Sequence, residues 1–252
     1  MALVVPTHGV VADRCAAWLH GVPILPRTAR TEIPLISVRQ RPGTRMRRGG
    51  VEGGERVLLG RDVMECGPVL VTTPLRTACD LGRSLWRFDA LAALDGFLRV
   101  GLSHSALLAE VERFKGYRGV VQLRLLAPLA DGRAESPGES ALRLHWYDAG
   151  LPRPELQWWV VDDFGRRLYR LDLALPDIGY CAEYDGEEFH SAASDLAADG
   201  QRRGWLSSAR NWHVEVFTKH DVYDPAVDPC PRLRAGFEAA STRPFRTPVL
   251  PS

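Results

Sequence analysis

Ser136-Pro137-Gly138-Glu139 opens the stretch that decides the fold, and Tyr169-Arg170-Leu171-Asp172 and Glu183-Tyr184-Asp185-Gly186 complete it. In the first tetrapeptide serine stands at the N-cap, proline at N1 and glutamate at N3, which predicts a helix running to about Ala149. Gly150 and Pro152 end it. Three extended runs follow at 156–161, 167–175 and 179–184, the first two joined by Asp162-Asp163-Phe164-Gly165. Residues 194–208 read as a helix despite Gly200 and Gly204, 213–218 as a short strand, and 232–240 as a last helix. The order is α-β-β-β-α-β.

Strand alternation sets Arg170, Asp172 and Ala174 on one face and Leu171, Leu173 and Leu175 on the other, so a carboxylate interrupts an otherwise apolar strand. On the next strand Cys181, Glu183 and Asp185 share a face, and antiparallel pairing through the turn at Pro176-Asp177 sets Glu183 beside Asp172. Two such acids repel and raise one pKa unless a cation lies between them, and hard oxygen ligands suit Mg²⁺ or Mn²⁺. A metal so held supports phosphodiester hydrolysis. The same residues also fit a plainer description, with Asp172 paired to Arg170 or Arg167 and residues 183–188 forming a solvated acidic turn. Glu139 likewise reads either as a capping-box residue or as a third acid of the site.

Outward from this stretch, turn formers and charges at 127–138 mark a boundary. They divide the 252 residues into a domain at 1–130, a second at 131–241 and a flexible tail at 242–252. In the first domain 33–40, 56–59 and 67–74 look extended, while 88–100, 103–114 and 120–126 read as helices, which makes this half mixed α+β. Hydrophobic residues at 45% and charged residues at 25% are globular proportions. A net charge of +1 leaves any attraction to nucleic acid to local patches. One such patch is Arg39, Arg41, Arg45, Arg47, Arg48, Arg56 and Arg61, opposed only by Glu52 and Glu55. Arg45, Arg47 and Arg48 are its candidate DNA contacts. The alternative is an ordinary exposed loop.

Five scattered cysteines without a C-x-x-C pair, no basic leader and no long apolar run predict a cytoplasmic protein in a reducing compartment, away from membranes. No Walker loop, dinucleotide fingerprint, G-x-S-x-G elbow or H-E-x-x-H helix occurs, so no nucleotide cofactor or serine hydrolase chemistry is expected. Trp158, Trp159, Trp205 and Trp212 read as packing residues in preference to base-stacking platforms.

Tyr169-Arg-Leu-Asp172, Glu183-Tyr-Asp185-Gly186 and Phe189-His190, with Glu139 and Gln157 upstream, resemble the Vsr-like branch of PD-(D/E)XK endonucleases over roughly residues 136–226. The resemblance implies an α/β restriction-endonuclease-like core and a divalent-metal-dependent DNA endonuclease or nickase. In it Asp172 and Glu183 would be metal ligands, Glu139 a helix-borne acid near the metal, His190 a proton-transfer or phosphate-contacting group, and Gln157 a DNA contact. Asp185 stands where the motif's lysine would be, and Lys219 is the one lysine of this domain. In the first domain Val71-Thr-Thr-Pro-Leu-Arg-Thr-Ala-Cys-Asp80-Leu81, with Gly60-Arg-Asp62 and the arginines at 39–48, resembles the AbiEi-like antitoxin family over roughly residues 10–125. That family is associated with transcriptional autoregulation of type IV toxin-antitoxin loci, which implies DNA and a cognate toxin as partners. An enzyme is thus the leading expectation, and a non-catalytic antitoxin-like regulator with a degenerate nuclease fold the alternative.

Overall fold

The computed structural model describes residues 5–6, 8–24, 35–44, 47, 49–186, 206 and 211–244. The chain divides into two compact α/β units, residues 1–132 and 133–252.

The first unit is a five-stranded mixed sheet with helices. Its strands are β1 (Val10–Val11), β2 (Ile36–Gln40), β3 (Val51–Glu55), β4 (Val63–Cys66) and β5 (Val69–Thr72), in the order β3-β2-β1-β5-β4. β1 runs parallel to β5 and antiparallel to β2. Helix α1 (Asp13–Leu19) follows β1 directly, and α2 (Pro74–Ser84) follows β5. Thr73 starts α2 by accepting the Arg76 N–H on its side chain, and Pro74 fills the first turn, where a missing N–H costs nothing. α3 (Arg87–Arg99), α4 (His104–Val111) and α5 (Val120–Leu126) pack around α2. Gly82 lets α5 approach closely, since a Cβ there would lie 2.7 Å from Leu123. The extended run expected at 56–59 is not a strand; β3 lies just ahead of it, and the expected strand at 67–74 is the second arm of the β4–β5 hairpin.

The second unit begins with α6 (Pro137–Asp148), capped by Ser136, whose hydroxyl accepts the Glu139 N–H at 3.2 Å. β6 (Glu155–Val161), β7 (Arg167–Leu175), β8 (Tyr180–Asp185) and β9 (His213–Thr218) form a sheet in chain order, antiparallel except for the parallel β8–β9 pair. A short α7 (Lys219–Tyr223), which the sequence reading missed, and α8 (Cys230–Ser241) follow. The expected helix at 194–208 lies outside the described residues except for Leu206, and so does the tail beyond 244. Buried Trp146 stacks on Tyr180 with ring centroids 5.2 Å apart, and the Tyr180 hydroxyl reaches Glu215 and the Leu233 carbonyl, tying α6 and α8 to the sheet.

Simple alternation fails along β7. Leu171 and Ala174 both enter an apolar cluster with Val160, Cys181, Leu206 and Trp212, although strict period two would part them. The β6–β7 register is the same on either side of Gln157 and Asp172, from Leu156↔Leu173 to Trp158↔Leu171, and shifts between Val160 and Val161; Gln157 itself takes φ 55°. A glutamine in the left-handed region is uncommon and marks a local interruption of the ladder.

Gly138, in the first turn of α6, holds the Tyr184 ring against the helix backbone: a Cβ at this position would meet Tyr184 Cε1 at 2.0 Å. Helix propensity alone would favour Gly138→Ala by about 1 kcal/mol, but the steric conflict with the ring should outweigh it. We expect a net destabilisation of about 1–3 kcal/mol in urea unfolding; a stabilised variant would mean that Tyr184 is free to swing away.

Candidate functional site

The interruption between β6 and β7 is where the predicted acids collect. Asp172 accepts the Tyr184 N–H at 2.9 Å, which fixes its carboxylate against β8. Continued one pair beyond Leu173↔Ala182, the β7–β8 register sets Asp172 across from buried Glu183. Glu139 reaches the same place from α6. One of its oxygens accepts both the Glu135 N–H at 2.9 Å and the Gln157 amide N–H at 2.7 Å. The acid thus does more than close a capping box, since beside its side-chain hydrogen bond with Ser136 it turns back to Glu135 and across to β6. Burial, and after it the Asp172 charge, pushes the Glu139 carboxyl up to about 7. Gln157 Oε1 is buried without a hydrogen-bond partner, which typically costs ~1–3 kcal/mol.

The remaining predicted residues fall unevenly. Asp185 ends β8 opposite Thr218, and exposed Lys219 is the next residue after Thr218. His190, Arg45 and Arg48 lie outside the described residues. Arg47 is exposed. Among the described residues no group of three His, Cys, Asp or Glu side chains is gathered closely enough to hold a metal ion. The tryptophans divide: Trp212 is buried, whereas Trp159 keeps 38% of its surface exposed.

In the first unit two of the seven arginines grouped by sequence, Arg39 and Arg56, are taken up in ion pairs, while Arg41, Arg47 and Arg61 are exposed. Arg39 pairs with Asp13 and Glu52, and Arg56 bridges Asp13 at 2.7 Å and Asp80 at 2.8 Å. Buried Arg76 joins Asp80 to Asp62, each at 2.8 Å, Arg83 adds a third cation to Asp80, and Arg113 a second to Asp62. Burial alone would raise the Asp13 carboxyl, but Arg56 and Arg39 hold it below the usual carboxylate range; Arg113 and the Leu59 N–H do the same for Asp62. The segment at 71–81 is thus the spine of a buried ion-pair frame, with Thr77 bonded to Thr72 and Thr73 beside it. Residues 9–129 match the AbiEi antitoxin C-terminal domain. The frame and the whole described part of the first unit's sheet fall within that AbiEi match.

Two uncharacterized proteins of Mycobacterium tuberculosis, one from each of two strains, are 40% identical to the chain over 183 residues, which is 72% of this chain and 66% of theirs. The chain therefore spans about two thirds of the length of these relatives. No solved structure matches it.

Sequence reasoning grouped Arg39 and Arg56 with the exposed arginines and did not find their carboxylate partners. Asp13 and Asp80 lie far from Arg56 in sequence, whereas Arg76 and Arg83, four and three residues from Asp80 on one helix, announce their pairs with it.

The raised Glu139 carboxyl makes stability depend on pH with a definite sign. Below about 4.5, its ordinary value, the group is protonated folded or unfolded. Between there and about 7 the folded chain holds a proton that the unfolded chain has lost, so stability falls as pH rises, and above about 7 the full penalty is present. Glu139→Gln, which keeps an acceptor for Glu135 and Gln157, should raise the melting temperature at pH 8, by at most about 3 kcal/mol of stability. It should also flatten the pH profile between these limits; an unchanged profile would place the Glu139 carboxyl in water.

Proposed function

We propose that the protein is an antitoxin-like regulator, with an AbiEi-type first unit and DNA or a protein toxin as its partner. The observation that carries this reading is the match of residues 9–129 to the AbiEi antitoxin C-terminal domain. The fold of that unit suits a binding role: its buried cations are neutralised internally, which leaves Arg41, Arg47 and Arg61 as surface charges. Val121 and Leu125, one turn apart on α5, are 69% and 66% exposed, and Leu108 on α4 is exposed too, apolar surface of the sort that protein partners cover.

A second reading, a divalent-metal-dependent DNA endonuclease or nickase, is favoured by one specific observation: Glu139 from α6 is brought up to Asp172 on β7 with its proton affinity raised. Acid repulsion of this kind is what a hard cation relieves, so the oxygen donors fit Mg²⁺ or Mn²⁺. Asp172 and Glu139 would hold the ion, with Glu183 across from Asp172 on β8, and the ion when bound would supply an acidified water and a counter-charge for a scissile phosphate. The chain's own part is to keep Asp172 fixed on the Tyr184 N–H and Glu139 on Gln157.

Incubation with supercoiled plasmid in Mg²⁺, in Mn²⁺ and in EDTA separates the two. The regulator reading predicts retarded DNA on a gel and intact supercoils under all three conditions. Metal-dependent relaxed or linear product that disappears in Asp172→Asn, with that variant folded by circular dichroism, would replace it with the endonuclease.

A further inference from the structure

A cavity of about 490 Å³ runs along β6, lined by every residue from Glu155 to Val161 and closed by Arg133, Arg167, Pro176 and Trp212 among others. Its size is that of a small-molecule pocket. β6 is the edge of its sheet, so an added peptide strand is one conceivable occupant. The backbone argues against it, because Gln157 at φ 55° breaks the extended run in the middle of the strand and with it the regular spacing of free N–H and C=O groups that strand addition requires.

The side chains suit another guest. Trp159 keeps over a third of its surface open although the Arg167 and Arg170 guanidinium groups lie 5.4 and 5.7 Å from its ring centre, contacts that hold the indole in place. Arg170 is engaged by Glu135, and Arg133 by Glu155. Arg167 is exposed and, among the described residues, has no carboxylate partner, so its charge faces the cavity mouth uncompensated. A partly open aromatic platform and a cation without a counter-ion in one apolar-walled cavity are the elements that recognise a planar base carrying a phosphate.

We propose that this cavity takes one unpaired nucleotide, its base against Trp159 and its phosphate on Arg167. The nucleotide is either free or part of a single strand. The proposal rests on residues of the second unit alone and is independent of what the AbiEi-type unit does; it does not require cleavage.

The test is calorimetric titration of the full chain, with tryptophan fluorescence in parallel, using a nucleoside monophosphate, a phosphorylated single-stranded oligodeoxynucleotide, the same strand annealed to its complement, and inorganic phosphate. The single strand should bind more tightly than the duplex, and phosphate alone weakly. Binding of the monophosphate as well as of the strand identifies a free nucleotide as guest; binding of the strand only identifies a polymer. Trp159→Ala should weaken binding about ten- to a hundredfold while Trp159→Phe retains most of it, because a smaller ring still stacks. Arg167→Ala should weaken binding and reduce its salt dependence by about one phosphate contact. Equal affinity for duplex and single strand would overturn the proposal, as would full competition by inorganic phosphate, unchanged binding in folded Trp159→Ala, or no binding of either nucleotide probe.

Discussion

Asp80 is wholly buried in α2 and receives three guanidinium groups, from Arg76, Arg56 and Arg83, while Asp62 takes Arg76 and Arg113. The first unit depends on this arrangement. Charges removed from water are tolerated only when each is matched and hydrogen-bonded, and removing one partner of such a pair leaves the other stranded at a cost of about 3–5 kcal/mol. Because Arg56 also reaches Asp13 at the head of α1, and Arg39 of β2 meets Asp13 as well, the frame ties α1, α2 and the sheet to one another, alongside the apolar cluster of Val11, Ala16, Val69 and Val71. It also decides what the unit presents to solvent. Of the arginines between 39 and 61, those at 39 and 56 belong to the interior.

The sequence disclosed this only in part. Thr73-Pro74 was legible as a helix start because capping is a local matter of side chain and backbone, and the three helices from 88 to 126 were legible from apolar spacing. The frame was not, since an arginine in a loop is the same letter whether it faces water or an aspartate some forty residues away, as Arg56 and Asp13 are. β1, two residues long, carries too little pattern to be read at all.

The second unit divides similarly. Ser136, Pro137 and Glu139 set the start of α6, and strands β6 to β9 emerge within a residue or two of their expected limits. Adjacent antiparallel placement of the strands bearing Asp172 and Glu183 followed from the short turn between them. What alternation could not supply was the left-handed backbone of Gln157, whose side-chain amide donates to Glu139 of α6 beside Asp172. Gln157 also lines the cavity on the edge strand. Trp159 shows the limit of composition-based reasoning about aromatics: a tryptophan in a strand is usually packing, and whether it is buried depends on which strand forms the edge.

The central claim is that the arginines of the AbiEi-type unit hold it together through buried carboxylates. A double-mutant cycle between Arg76 and Asp62, each changed to alanine singly and together and measured by urea unfolding, tests it most directly. The account predicts single-variant losses of about 3–5 kcal/mol that are far from additive, with a coupling of at least about 1.5 kcal/mol. Additive losses of under about 0.5 kcal/mol each, as for a solvent-exposed pair, would contradict it.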